Sequence, residues 1–189
     1  MSADFAAERT IMVDCQVRPQ DVTDLTIQDA MRAVPREALV PVGKAWLAYA
    51  DAEVEYAPGR WMLRPRDVAK LLQGLRPRAG ERALAIAAPY AAAVLEHMGL
   101  AVTREDGPDL RAVTGTWPLI VCEGGVCEVP ASWLAAIAPE GRLAVPRRQG
   151  PTGQALLFMR GSGGVGSRSL FDCSTPVMAG FEPATGFVF

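Results

Sequence analysis

The chain has 189 residues, half of them apolar, a formal charge of −2 and a single histidine. That supplies ample side chain for a sizeable core, and the near-neutral balance, with no basic block longer than Arg147-Arg148, argues against a nucleic-acid face or a polybasic membrane patch. Cysteines 15, 122, 127 and 173 form no CxxC pair, and with only His97 beside them they assemble no zinc-ligand set, so no metal is expected. The opening MSADFAAERT has early acids and no apolar signal core, and no apolar run approaches membrane-spanning length. The expectation is a cytoplasmic protein with reduced thiols and no membrane span.

Thr23 or Asp24 can cap a helix in which Ile27, Met31 and Val34 recur at helical spacing, and Pro35 ends it. Pro35-Arg36-Glu37 begins a second helical segment with Leu39 and Val40 predicted inward. Trp46, Leu47 and Tyr49 follow as an aromatic cluster, then an acidic turn from Asp51 to Glu55. Pro65 suits a first helical turn, and Val68, Leu71, Leu72 and Leu75 share one face of a helix from Arg66 to Gly74. The first eighty residues are predicted to be mainly helical.

From Arg82 the pattern changes to short apolar runs alternating with helical pieces, as in a parallel sheet with crossovers. Strands are predicted at Arg82–Ala88, Ala101–Arg104, Leu119–Glu123 and Arg142–Val145, and a helix at Ala131–Ala138 presenting Leu134 and Ile137. The run Arg82–Ala88 leads through Pro89 into a short helix with Ala93, Val94 and His97 on one side and Gly99 as its stop. A strand entering a helix is where doubly wound folds hold dinucleotides or adenosyl cofactors on backbone N–H groups, yet this turn contains no glycine. Between Glu105 and Pro118 there is room for a strand at Leu110–Thr114 but not for helices on both sides of it, so one crossover helix is expected to be missing. Ala155–Arg160 and Arg168–Asp172 flank a glycine-rich turn as an antiparallel hairpin, and Gly180–Phe189 forms an extended aromatic tail.

Several residues invite a chemical reading. Gly161–Gly166 contains GxGxxG but leads into another strand rather than a helix, so it reads as a hairpin turn. Cys122 and Cys127 read as buried thiols without a nearby base. Glu123 lies at the carboxyl end of its strand, the end where open sheets bind ligands, and is the best polar pocket candidate; a solvated loop acid is the other reading. His97 suits the carbonyl end of its helix. Arg64 and Arg66 read as surface ion pairs, with an anion-binding point as the alternative. The tail residues Phe181, Phe187, Val188 and Phe189 are expected either on the last hairpin or against a partner subunit.

Taken together, the segments MVDCQVRPQDVTDLTIQDAMRAVPREALVP, LAYAD, LRPRDVAKLLQ, PLIVCEGGVCEVP, APEGRLAV and LFDCSTPV resemble the protein-L-isoaspartate O-methyltransferase family, most closely its bacterial branch with a QVRP start and a phenylalanine-rich tail. The resemblance implies a seven-stranded methyltransferase sheet with an antiparallel last strand, S-adenosylmethionine as cofactor, and methylation of isoaspartyl carboxylates in damaged proteins. It also implies site residues that this chain lacks. Ala85 stands where the family has an acid at the first strand, and Ala87-Ala88-Pro89-Tyr90 replaces a glycine-rich turn. Leu63 occupies the position of a serine associated with catalysis, and leucine offers no donor or acceptor to a carboxylate. Glu105, near the end of the second strand, could still play the family's ribose-binding acid; a solvated loop charge is the other reading.

The expectation is therefore a methyltransferase-like (Rossmann-like) doubly wound α/β sheet with an antiparallel C-terminal hairpin over 81–189, preceded by a helical extension over 1–80. The function expected is that of a catalytically degenerate family member acting through protein–protein contact or as a homo-oligomer, with no catalytic residue and no cofactor. An active S-adenosylmethionine-dependent methyltransferase, with Glu105 and Glu123 as the cofactor-binding residues, is the alternative. A binder of another small ligand in the altered cleft is the third.

Overall fold

The computed structural model describes residues 4–183. Its N-terminal helices stop and start at identifiable residues. The Asp4 carboxylate caps α1 (Phe5–Met12) by accepting from the Ala7 N–H, and α1 runs on through a π-helical turn, Val13–Val17. Of the two predicted caps for α2 (Leu25–Ala33), the chain uses Asp24, whose side chain accepts from the N–H groups of Thr26 and Ile27. Ile27 and Met31 are fully buried, and the helix stops at Val34 before Pro35.

Two expectations for the next stretch are corrected. Arg36–Leu39 and Val42–Leu47 are 3₁₀ turns, and the fully buried side chain of the first is Arg36; Val40 is buried as expected, whereas Leu39 is only half-buried. The reason is that carbonyls of later loops wait for the guanidinium inside. The acidic turn predicted at Asp51–Glu55 runs into a strand, β1 (Val54–Ala57), which pairs antiparallel with β2 (Arg60–Met62) around Pro58-Gly59, so this mainly helical stretch also carries a short hairpin. Gly59 has φ of 67° and lies so close to Ala179 that a Cβ there would fall 2.6 Å from the alanine methyl. α3 (Pro65–Leu75) forms as predicted, with Pro65 in its first turn and Val68, Leu71, Leu72 and Leu75 buried.

The remaining strands, β3 (Arg82–Ile86), β4 (Ala101–Glu105), β5 (Trp117–Cys122), β6 (Ile137–Gln149), β7 (Thr152–Gly161) and β8 (Gly164–Asp172), form one sheet in the order β4-β3-β5-β6-β7-β8. β4, β3, β5 and β6 are parallel, and β7 runs antiparallel to both of its neighbours. α4 (Pro89–His97) joins β3 to β4 and α5 (Ala131–Ala135) joins β5 to β6. Between β4 and β5 the chain is irregular, so the crossover helix expected to be missing is absent among the described residues, and so is the strand considered at Leu110–Thr114. Leu110 is instead buried with its carbonyl accepting from the Trp133 indole N–H at 2.7 Å, and among the described residues the sheet has six strands where the resemblance implied seven.

Smaller corrections have local causes. β3 ends at Ile86 rather than Ala88, because Ala87 turns to φ of 42°. α5 stops at Ala135 because Ile137 already pairs with Trp117, and Trp133 rather than Leu134 is its buried residue. The Gly161–Ser167 run is not a long loop: β7 and β8 pair down to Gly161 opposite Gly164, with Ser162-Gly163 as the turn.

Alternation along the strands divides the core between the two faces of the sheet. Ala83, Ala85, Leu119 and Val121 pack with the helices α1 to α4, while Leu84, Ile86, Ile120 and Cys122 pack with Trp133, Met178 and Phe181. α4 buries Tyr90, Ala91, Val94 and Leu95 and exposes His97, so its inward face is rotated from the predicted one. After β8 the chain returns across the carboxyl ends of the strands. The Gly125 N–H donates to Pro176 O at 3.1 Å, Met178 N–H to Gly125 O at 2.9 Å, and Ala179 N–H to Gly59 O at 3.2 Å. Phe181 packs on Trp133, ring centroids 5.5 Å apart, rather than on the last hairpin. Phe187, Val188 and Phe189 lie outside the described residues.

Candidate functional site

The carboxyl ends of β3, β4 and β5 come together where an open parallel sheet offers its ligand crevice. At these ends the chain's own groups are buried. Ala87, Ala88, Pro89, Tyr90 and Ala91 are all buried. The Ala87 N–H donates to the Glu105 carbonyl at 2.9 Å, which ties the β3–α4 turn to the end of β4. The turn holds alanine in a left-handed conformation that glycine adopts without strain.

α4 begins with unsatisfied N–H groups, and the carboxylate of Glu123 meets them. Its Oε1 accepts from the Ala91 N–H at 2.5 Å and its Oε2 from the Leu63 N–H at 3.3 Å. Glu123 reaches this point because it follows directly on β5, and its fully buried carboxyl is pushed up to about 7 by desolvation, against the opposing pull of the Ala91 N–H, the Arg36 charge and the Leu63 N–H. Gly124 and Gly125 allow the returning segment to close over it: a Cβ would stand 2.0 Å from the Met178 sulfur at Gly124, and 2.6 Å from the Pro176 carbonyl oxygen at Gly125.

Beside this carboxylate lies Arg36, fully buried. Its Nε donates to Ala48 O at 2.7 Å, its Nη2 to Leu63 O, and its guanidinium stacks 4.6 Å over the Tyr90 ring. Burial lowers its pKa, but a guanidinium stays charged. Leu63 thus joins the two charges through its backbone, the N–H toward Glu123 and the carbonyl toward Arg36, while its side chain is fully buried in the core. Arg36 Nη1 and the Tyr90 hydroxyl are buried without a hydrogen-bond partner among the described residues.

Of the residues singled out in the sequence, Glu123 and Leu63 meet here. The Glu105 side chain turns back on its own loop and accepts from the Gly107 N–H at 3.1 Å; its backbone, not its carboxylate, touches the β3–α4 turn. Ala85 is buried in β3. Arg64 pairs with Glu53 at 2.9 Å and Arg66 with Asp51 at 3.0 Å. Clefts of about 740 and 770 Å³ lie along α3 and β8, and neither is lined by Glu123 or Tyr90. The Cys122 thiol is buried against Gly124 O and pushed up to about 12 by that burial, and all four cysteines are free. Among the described residues no group of metal ligands converges, and no helix is long and apolar enough to cross a membrane. Arg36 was not singled out, and Tyr90 was named only as the end of the glycine-free turn. A proline-flanked arginine beside a glutamate carries no sign that it turns inward, and Tyr90 looks like one more core residue of an alanine-rich helix.

The strain at Ala87 makes a measurable contrast. Relief of the left-handed conformation, about 1–2 kcal/mol, offsets the lost buried methyl and the added chain entropy, so Ala87→Gly is expected to change stability by less than about 1 kcal/mol. Ala83→Gly, in mid-strand and equally buried, has no strain to relieve and is expected to cost about 1–2 kcal/mol. Urea unfolding of the two variants checks the difference.

The sheet order, with its strand-to-helix turn under the crevice, defines an α/β protein of the methyltransferase fold. The same fold is seen in a crystal structure, in complex with S-adenosyl-L-homocysteine, of a Plasmodium falciparum protein carrying the name protein-L-isoaspartate O-methyltransferase; the TM-score is 0.73 at 16% identity, covering 90% of this chain and 97% of that one. The chain is 34% identical over 182 residues to the protein-L-isoaspartate O-methyltransferase of Methylorubrum extorquens, covering 82% of this chain and 79% of the relative. It is 32% identical to protein-L-isoaspartate O-methyltransferase 2 of Marinobacter nauticus, over 76% of this chain and 78% of that one. No family model matches it. The chain belongs to the protein-L-isoaspartate O-methyltransferase family, as the sequence segments implied.

Proposed function

We propose that this chain is a family member whose crevice at the end of β3 no longer takes S-adenosylmethionine, and that it acts through contact with other protein chains, in a reducing cytoplasm. The observation that carries the reading is the Glu123 carboxylate on the first turn of α4, under a turn of buried alanines. Three substitutions agree with it: alanine for the acid in β3, a glycine-free turn, and a buried leucine at the family's serine position. Loss of two charge-assisted hydrogen bonds weakens a cofactor on the order of 10²–10⁴-fold. Val42 and Trp46, 94% and 74% exposed on one 3₁₀ turn, support a role in contact. The four free thiols fit a reducing compartment.

The names of the relatives favour a second reading, an S-adenosylmethionine-dependent methyltransferase in which Glu123 moves aside or joins the cofactor site with Glu105. Calorimetry with S-adenosylhomocysteine separates the two. The proposed reading expects no binding at micromolar concentrations; a micromolar dissociation constant, or methyl transfer to an isoaspartyl peptide, overturns it.

A further inference from the structure

We infer that the first turn of α4, the Leu63 N–H and the Arg36 guanidinium form a seat for a small carboxylate, that Glu123 is its built-in occupant, and that the seat takes a free monocarboxylate once this side chain is removed. The inference rests on the reading of the crevice as closed by its own residues and states what closes it.

Three independent features define the seat. The N–H of Ala91 points out of the helix end at an oxygen 2.5 Å away, and the N–H of Leu63 converges on the other oxygen of the same group from a different part of the chain. The Arg36 guanidinium, held over Tyr90 and bonded to the carbonyl of that same Leu63, is a buried positive charge near enough to favour the ionised carboxylate. Its Nη1 and the neighbouring Tyr90 hydroxyl are wholly buried polar groups with nothing to bond to among the described residues. A helix end, a second backbone donor and a neighbouring cation are the groups that orient and favour a carboxylate in a buried place. Because the occupant is covalently attached, it competes with any free ligand at high effective concentration. A carboxylate-bearing molecule enters this crevice only by displacing Glu123, which makes the contact autoinhibitory.

Glu123→Ala keeps the Cβ and removes the part of the side chain that acetate replaces. The thermal midpoint of this variant, in the full chain at about pH 6, is expected to lie below that of the wild type. It is expected to recover with added acetate, saturably and by roughly 5 °C, relative to chloride at equal ionic strength. The wild type is expected to show no acetate-specific gain. If the variant does not fold unaided, refolding from urea with acetate but not with chloride is the same positive result. An equal response to acetate and chloride, or recovery with neither, overturns the inference. Binding of S-adenosylhomocysteine by the wild type overturns instead the reading of the crevice as closed, so the two failures are told apart.

Discussion

Arg36→Ala is expected to lower the unfolding free energy by about 4 kcal/mol, the largest loss from any single substitution around the crevice. The side chain donates to the carbonyls of Ala48 and Leu63, which belong to two separate loops, and its removal leaves both acceptors buried and dry. It also empties the volume above the Tyr90 ring. Each unsatisfied carbonyl costs about 1–3 kcal/mol, and the vacated space adds to it. Urea unfolding should show the midpoint falling with little change of slope, since the surface exposed on unfolding is nearly the same. Arg36→Lys should recover little of the loss, because one ammonium on a flexible stem cannot serve two carbonyls and cover an aromatic face at once. A midpoint for Arg36→Ala within experimental error of the wild type would mean that the buried guanidinium organises nothing.

That residue also marks where the sequence was legible and where it was not. Periodicity located α2, α3 and α4 and most strands of the sheet, because apolar side chains at helical or strand spacing declare the face they bury. The hairpin β7–β8 was legible from glycines between two apolar runs. The hairpin β1–β2 was not, since a short Val-Glu-Tyr-Ala run beside acids has no alternation long enough to read. Glu123 was visible as an acid at a strand end, but its destination depends on Gly124 and Gly125 accepting a segment some fifty positions further on, near Met178. A contact of that separation leaves no local pattern. Arg36 was read as the polar start of a helical turn with Leu39 inward, because a charged residue is placed outside by default and only the two waiting carbonyls reverse that choice. That the β3–α4 turn contains no glycine, and that position 63 is a leucine, needs no arrangement in space to be read.

The wild type is expected to become less stable as the pH rises from about 5 to about 8, by about 3 kcal/mol, and Glu123→Gln is expected to remove most of that slope. In the folded chain the Glu123 carboxyl is raised to about 7 from an ordinary 4.5, chiefly by burial, so the native state holds a proton over a range in which the unfolded chain has lost it. A raised acid stabilises the fold fully below its unfolded pKa, and that contribution disappears as the pH climbs through the folded value. The facing groups do not reverse the sign: Arg36 and the N–H donors favour the charged form but are outweighed by desolvation, and Tyr90 and Tyr49, both raised by burial, stay neutral throughout. Asp67, raised to about 6 by its own burial near the start of α3, adds a smaller decline of the same sign, which Asp67→Asn isolates. On the acid side Glu81, held low by its hydrogen bonds to Arg142, acts in the opposite direction: its contribution is lost as the pH falls, so stability peaks near pH 5 rather than rising without limit. Glutamine keeps an oxygen for the Ala91 N–H and gives up only the longer contact to Leu63, so the variant should match the wild type near pH 5 and exceed it near pH 8. If Glu123→Gln instead lost stability equally at both pH values, the carboxylate would be paired with Arg36 strongly enough to remain ionised, and burial would not be the dominant influence on it.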